Sequence, residues 1–182
     1  MTWFMVDVET DGPCPHLYSM ISLGCVIVEP GLSRTFYTTV RPISDEWIAE
    51  ALNVSGHPRH ECMKFDRPED AIPRFKKWVE ENTGTRKSRG KEVPNAQFIS
   101  DNNGFDWQFI NYYFHRYCED NPFGYSSQNL GSIYKGMIKT MFKNFKHLRK
   151  TKHTHHPVDD AKGNAEALLH MKEVMGLEIG LK

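Results

Sequence analysis

The chain opens on an apolar run, Trp3, Phe4, Met5 and Val6, which then alternates as Asp7, Val8, Glu9. Period-two alternation predicts a strand over Trp3 to Glu9, with Asp7 and Glu9 on the same side of it. "DGPCPH" follows as a turn-rich loop. Tyr18 to Glu29 is β-branched and apolar and predicts a second strand, and "PGLS" turns the chain into a third, Phe36 to Arg41. The short connections favour an antiparallel meander.

The period then changes. "SDEWIAEAL" reads as a helix with Ser44 as its N-cap, although Trp47 stands where a full capping box has an acid or amide. "RPEDAIPRFKKWVEEN" is amphipathic through Ala71, Phe75, Trp78 and Val79, and Pro73 restricts where that helix begins. The basic segment "TGTRKSRGKEVPN" is expected to be a mobile loop. Ala96 to Ser100 is a short buried strand that leads into a helix with Phe109, Ile110, Tyr113, Phe114 and Tyr117 at helical spacing. Another short strand near Gly124 to Ser127 precedes a helix carrying Ile133, Met137, Ile138 and Met141. The last helix starts at Val158 or Asp159, presents Ala161, Ala165, Leu168, Leu169 and Val174 on one face, and stops at Gly176. Such an order describes an α/β fold: a mixed central sheet, three antiparallel strands and then parallel ones, flanked by helices.

Composition narrows the class. The chain has 182 residues, 39% hydrophobic and 25% charged, enough for one folded domain over 1–182 with a full core. No apolar run approaches the ~20 residues of a membrane span, and the N-terminus does not read as a secretory signal, so a cytoplasmic protein is expected. Cys14, Cys25, Cys62 and Cys118 form no CxxC pair, which fits reduced thiols. His57, His60 and Cys62 stand close enough in sequence for a metal site, but in a loop with Gly and Pro they read as a polar loop.

Net charge is zero, yet its distribution is uneven. Before Arg34 there is no lysine or arginine, while Asp7, Glu9, Asp11 and Glu29 are acidic. From Gly131 to Val158 the charges are Lys135, Lys139, Lys143, Lys146, Arg149, Lys150 and Lys152, with no acid among them. A negative site approached by a positive surface is one reading, and a solvated helix face is the other.

Two carboxylates on one side of a strand that looks buried on both faces need a compensating cation, and Mg²⁺ or Mn²⁺ prefers oxygen ligands. Asp106 stands at the start of a helix after a strand, and His155 stands five residues before Asp160 in "HHPVDDAKGNAEALL". Singly, each has a structural explanation as a helix-terminal charge or a loop histidine. In chain order they form a pattern.

The set "DVETDG", "NNGFD" and "HHPVDDA" resembles the three motifs of the DEDDh branch of the DnaQ-like 3′–5′ exonuclease superfamily, over almost the whole chain. The resemblance implies a ribonuclease H-like fold. It implies that Asp7, Glu9, Asp106 and Asp160 bind two divalent metal ions, Mg²⁺ or Mn²⁺, and that His155 is the general base. Thr10, after the acidic pair, and Asn102, four before Asp106, fall on substrate-contact positions. Asp101 and Pro157 depart from the histidine and alanine usual there. The basic segment then acquires a partner, a single-stranded nucleic acid, with Lys150 and Lys152 among the cations that would meet phosphates and Phe142 and Phe145 read as core. In size the chain resembles the small exoribonucleases of the oligoribonuclease, ribonuclease T and ribonuclease AS types. That implies a 3′–5′ exoribonuclease releasing nucleoside 5′-monophosphates, RNA as partner, homodimerisation and no membrane. A 3′–5′ exodeoxyribonuclease and a non-catalytic nucleic-acid-binding module are the alternatives.

Overall fold

The structure, a computed structural model, describes residues 1–181. Its three leading strands are β1 (Thr2–Thr10), β2 (Met20–Ile27) and β3 (Thr35–Thr39), paired antiparallel as expected. After helices α1 (Ala49–Val54), α2 (Arg59–Cys62) and α3 (Pro68–Glu81) comes a separate hairpin, β4 (Thr85–Ser88) and β5 (Lys91–Pro94). Strand β6 (Ala96–Ser100), helix α4 (Asn103–Tyr117), strand β7 (Ser127–Asn129), helix α5 (Leu130–Met137), a 3₁₀ turn (Lys146–Leu148) and helix α6 (Pro157–Glu173) complete the chain. The main sheet runs β3-β2-β1-β6-β7, with β6 parallel to β1 and β7 parallel to β6. No described helix is long and apolar enough to cross a membrane.

Alternation along β1 sorts its residues between two cores. Phe4, Val6 and Val8 join α3 and α4 through Ala71, Phe75, Val79, Phe109 and Tyr113. Met5 faces the other way and packs under α5 and α6 with Leu130, Ala165, Leu168 and Met171. Asp7 and Glu9 continue that second face, the one α6 covers.

Four local expectations need correction. Ser44 does not cap a helix: α1 starts at Ala49 with Ile48 before it, while the Ser44 hydroxyl accepts the Glu46 N–H at 3.1 Å within a turn. What holds residues 44–48 is tertiary, because the Ile48 N–H donates to the Asp11 carbonyl and Arg59 donates to the Ser44 carbonyl. The basic 85–94 segment is a hairpin instead of an open loop. Arg89 (φ 49°) and Gly90 (φ 80°) both take the left-handed conformation that a two-residue hairpin turn requires. Pro73 sits inside α3, whose first turn is set by Pro68 at its N-terminal position. Val174 caps α6 and is exposed, so it is not part of the buried face. The four cysteines are free, as expected.

Gly24 lies opposite Asp7 in the β1–β2 register. A Cβ there would come within 2.4 Å of the Pro157 carbonyl carbon and of the Val158 nitrogen, both backbone atoms of the first turn of α6. The missing side chain is what lets α6 rest on the sheet beside Asp7. Gly24→Val is therefore expected to destabilise the fold by about 1–3 kcal/mol, the usual cost of overpacking. The measurement is chemical denaturation, and a variant as stable as the parent would contradict the close approach.

Candidate active site

Parallel pairing runs β1 and β6 in the same direction, with the end of β6 opposite the middle of β1. Pairing between them stops at Met5 and Ile99, so β1 continues alone along that edge. The Val8 N–H, beyond the end of β6, donates instead to Asp106 Oδ1 at 3.2 Å. Asp106 stands in the first turn of α4 and is buried. A register irregularity between Glu9 and Thr10 ends the regular ladder at the same place.

From the other side, α6 delivers Asp160. One carboxylate oxygen from each of Asp7, Glu9 and Asp160 lies within 4.8 Å of the other two. Asp160 also organises the preceding loop, accepting the Thr154 N–H at Oδ1 (3.0 Å) and the His155 N–H at Oδ2 (3.1 Å). His155 takes φ 60°, a left-handed conformation uncommon for a residue other than glycine, and its ring is exposed. His153 Nδ1 contacts Asp160 Oδ2 at 2.8 Å, and the His156 ring stacks on Tyr37 with centroids 4.7 Å apart.

The electrostatics are those of like charges crowded out of water. Burial raises the Asp7 carboxyl well above its ordinary range, and Asp106, Glu9 and Asp160 add to the rise. Burial, then Asp160 and Asp106, push Glu9 up to about 8. Burial lifts Asp106 to about 7, although the nearby Ser100 hydroxyl and the Val8 N–H favour its charged form. Among the described residues no lysine or arginine pairs with Asp7, Glu9, Asp106 or Asp160, and a His153 ring nitrogen is the one basic side-chain atom in contact with them, at Asp160. A set of oxygen donors with no protein cation between them fits divalent metal ions.

Asp11, two residues further along, is different: it is buried and paired with Arg59 while accepting the Ser19 N–H. It ties the end of β1 to the α2 segment. Thr10 is buried and its hydroxyl donates to the Gly12 carbonyl at 2.8 Å. Asn102 is exposed at the start of α4, where its carbonyl accepts the Phe105 and Asp106 N–H groups and its side chain makes no capping bond. Lys150 and Lys152 are exposed, and the segment bearing them is anchored by Glu166, which accepts the Lys150 and Thr151 N–H groups at 2.7 Å each. Among the described residues no ion pair joins either lysine to these acids. The segment expected as a polar loop is partly helical: His60 and Cys62 lie in α2, with Cys62 buried, while His57 before it meets Phe65 edge to face.

Three features escape sequence reading. Gly24 is one, and its signal was a lone glycine inside an apolar strand. Arg149 is another: it pairs with Asp101 at 2.9 Å, with its guanidinium 5.2 Å from the centre of the Phe145 ring, so this cation of the basic segment is committed to the fold. The third is Phe142, expected in the core but 97% exposed, whereas Phe145 is 1% exposed. Helical spacing cannot separate them, because α5 ends at Met137.

A family model for the 3′-5′ exoribonuclease Rv2179c-like domain matches residues 2–171. The 3′-5′ DNA exonuclease Cap18 of Escherichia coli is 43% identical over 135 residues, 72% of this chain and 67% of that protein. Escherichia coli exonuclease I in complex with a dA16 oligonucleotide superposes with a TM-score of 0.72 at 15% identity, over 94% of this chain and 40% of its own. The cell-death related nuclease CRN-4 gives a TM-score of 0.72 at 17% identity over 96% of this chain and 64% of its own. The chain thus spans less than half of exonuclease I, and these two structures bear on the fold alone, which is the expected ribonuclease H-like one. With its motifs converging at one end of that fold, the chain belongs to the Rv2179c-like 3′-5′ exoribonuclease domain family, within the DEDDh superfamily, and is an enzyme of the 3′–5′ exonuclease type.

Proposed function

We propose that the protein removes nucleoside 5′-monophosphates from the 3′ end of single-stranded RNA. The observation that carries this reading is the convergence of Asp7, Glu9 and Asp160 within 4.8 Å, beside a buried Asp106, with no lysine or arginine among them. Asp7, Glu9, Asp106 and Asp160 would hold two divalent cations, Mg²⁺ or Mn²⁺. Bound there, such a pair supplies positive charge against the scissile phosphate and makes the attacking water easier to ionise.

The chain's own residues do the rest. A ring nitrogen of His155 takes the proton of the attacking water, and its position on an exposed loop suits a group that reaches the substrate once bound. Asp160 holds the His155 N–H and so sets where that loop sits. Thr10 and Asn102 flank the acids and contact the terminal nucleotide. Lys150 and Lys152, on the segment anchored by Glu166, meet phosphates of the incoming strand.

RNA is supported by the family model, which is that of an exoribonuclease domain. A second reading, DNA as substrate, is supported by the 43% identity to a DNA exonuclease. Matched 5′-labelled RNA and DNA oligomers, with Mg²⁺, Mn²⁺ or chelator, decide between them. A ladder on RNA at least tenfold faster than on DNA is the expected result, and the reverse preference establishes the second reading. His155→Ala is expected to lower turnover on the preferred oligomer by about 10²–10⁴-fold, the range of a lost general base, with little change in KM. Full activity in that variant would remove His155 from the mechanism.

A further inference from the structure

One histidine beside the acids, His153, has no part in that chemistry. His153 is exposed, yet its Nδ1 lies 2.8 Å from Asp160 Oδ2, and its ring meets that of His155 edge to face with centroids 4.2 Å apart. One donor atom from each of His153, His155 and Asp160 lies within 4.8 Å of the other two. We propose that these three residues form a second metal site, specific for Zn²⁺ and ions like it, that switches the nuclease off by engaging its base and one of its carboxylates together.

The donor set decides the ion. Two imidazole nitrogens and one carboxylate oxygen suit zinc, which binds such ligands at about 2.0–2.2 Å, whereas magnesium prefers oxygen ligands throughout. The backbone is already arranged for it. His155 holds φ 60°, Asp160 accepts the Thr154 and His155 N–H groups, and the Thr154 hydroxyl donates to Asp159 Oδ2 at 3.1 Å. That turn brings two histidines, two positions apart, to the same carboxylate. Two bonds of about 2 Å span about 4 Å at most, so closing the triad needs rotation of two exposed rings and no movement of the fold. Three protein ligands leave a fourth position open to water.

Asp160 is shared with the acid cluster, so zinc here competes for a ligand the magnesium-supported reaction needs. Inhibition rests on the exonuclease reading above; zinc binding by the triad does not. The test measures both, in the presence of Mg²⁺, for the parent protein, His153→Ala and Asp7→Asn. Zinc affinity comes from equilibrium dialysis, and nuclease rates on a 5′-labelled oligomer are taken relative to each protein's zinc-free rate. In His153→Ala, zinc affinity is expected to fall about 10- to 100-fold, and the half-inhibiting zinc concentration to rise by the same factor. Asp7→Asn is expected to bind zinc as the parent does. Unchanged affinity in His153→Ala, or loss of zinc by Asp7→Asn, overturns the proposal, since zinc would then sit among the acids. Failure of the exonuclease reading looks different: zinc binding that depends on His153, with no cleavage of RNA or DNA.

Discussion

Asp7→Asn is expected to cost about 10²–10³-fold in turnover while making the metal-free protein more stable. The two effects have one cause. Asp7 makes no ion pair or side-chain hydrogen bond among the described residues, and burial together with Asp106, Glu9 and Asp160 opposes its ionisation. Asparagine keeps the shape and removes a charge that the fold does not compensate. Stability in chelator should rise by on the order of 1 kcal/mol, or about 2–4 °C in melting temperature for a chain of this size. The same change removes an anionic oxygen from the site that would hold the cations, so affinity for Mg²⁺ and turnover both fall. Thermal melts in chelator and single-turnover cleavage of a labelled oligomer check the pair of effects. A variant that is less stable in chelator and fully active would contradict the arrangement of charges described here.

The wild-type protein in chelator is expected to lose stability as pH rises from about 5 to about 8, the second large effect. Glu9 titrates at about 8 and Asp106 at about 7 in the folded protein, both above their ordinary carboxylate values of 4.5 and 3.8. Between the unfolded and folded values the native state binds more protons than the unfolded one. The sign follows: the stability linked to these groups is fully present below the unfolded values and is lost as pH climbs through the folded ones, by at most about 1.4 kcal/mol per pH unit for each proton. Mg²⁺ or Mn²⁺ takes over the neutralising role of the protons, so the melting-temperature gain from added cation should grow across the same interval. Asp7→Asn should flatten the chelator curve. A curve that is level or rises from pH 5 to 8 would show that the acids do not repel one another as their placement requires.

Legibility from sequence followed the range of the interaction. Asp7 and Glu9 were readable as a same-side pair because strand alternation depends on neighbours alone. The helices of Phe109–Tyr113 and Ala161–Leu168 were readable for the same reason. The β4–β5 hairpin was not, since its strands carry mostly polar residues and their hydrophobic alternation is weak. Ser44 has the chemistry of an N-cap, yet Arg59 and Asp11, distant in sequence, hold that segment outside the helix. Phe142 and Phe145 are chemically identical and three residues apart, and only the fold puts one against Arg149 and the other in solvent.

By itself the sequence determined the alternation that puts two carboxylates on one side of β1, the order of the acidic motifs and the family they carry. The tertiary structure decided that these acids meet. Parallel pairing of β1 with β6 brings Asp106 to the Val8 N–H, and the absent side chain of Gly24 lets α6 settle until Asp160 stands beside Asp7 and Glu9. It also decided that His153 joins His155 on Asp160. Residues this far apart along the chain share a site only through packing, and packing depends on every layer between them.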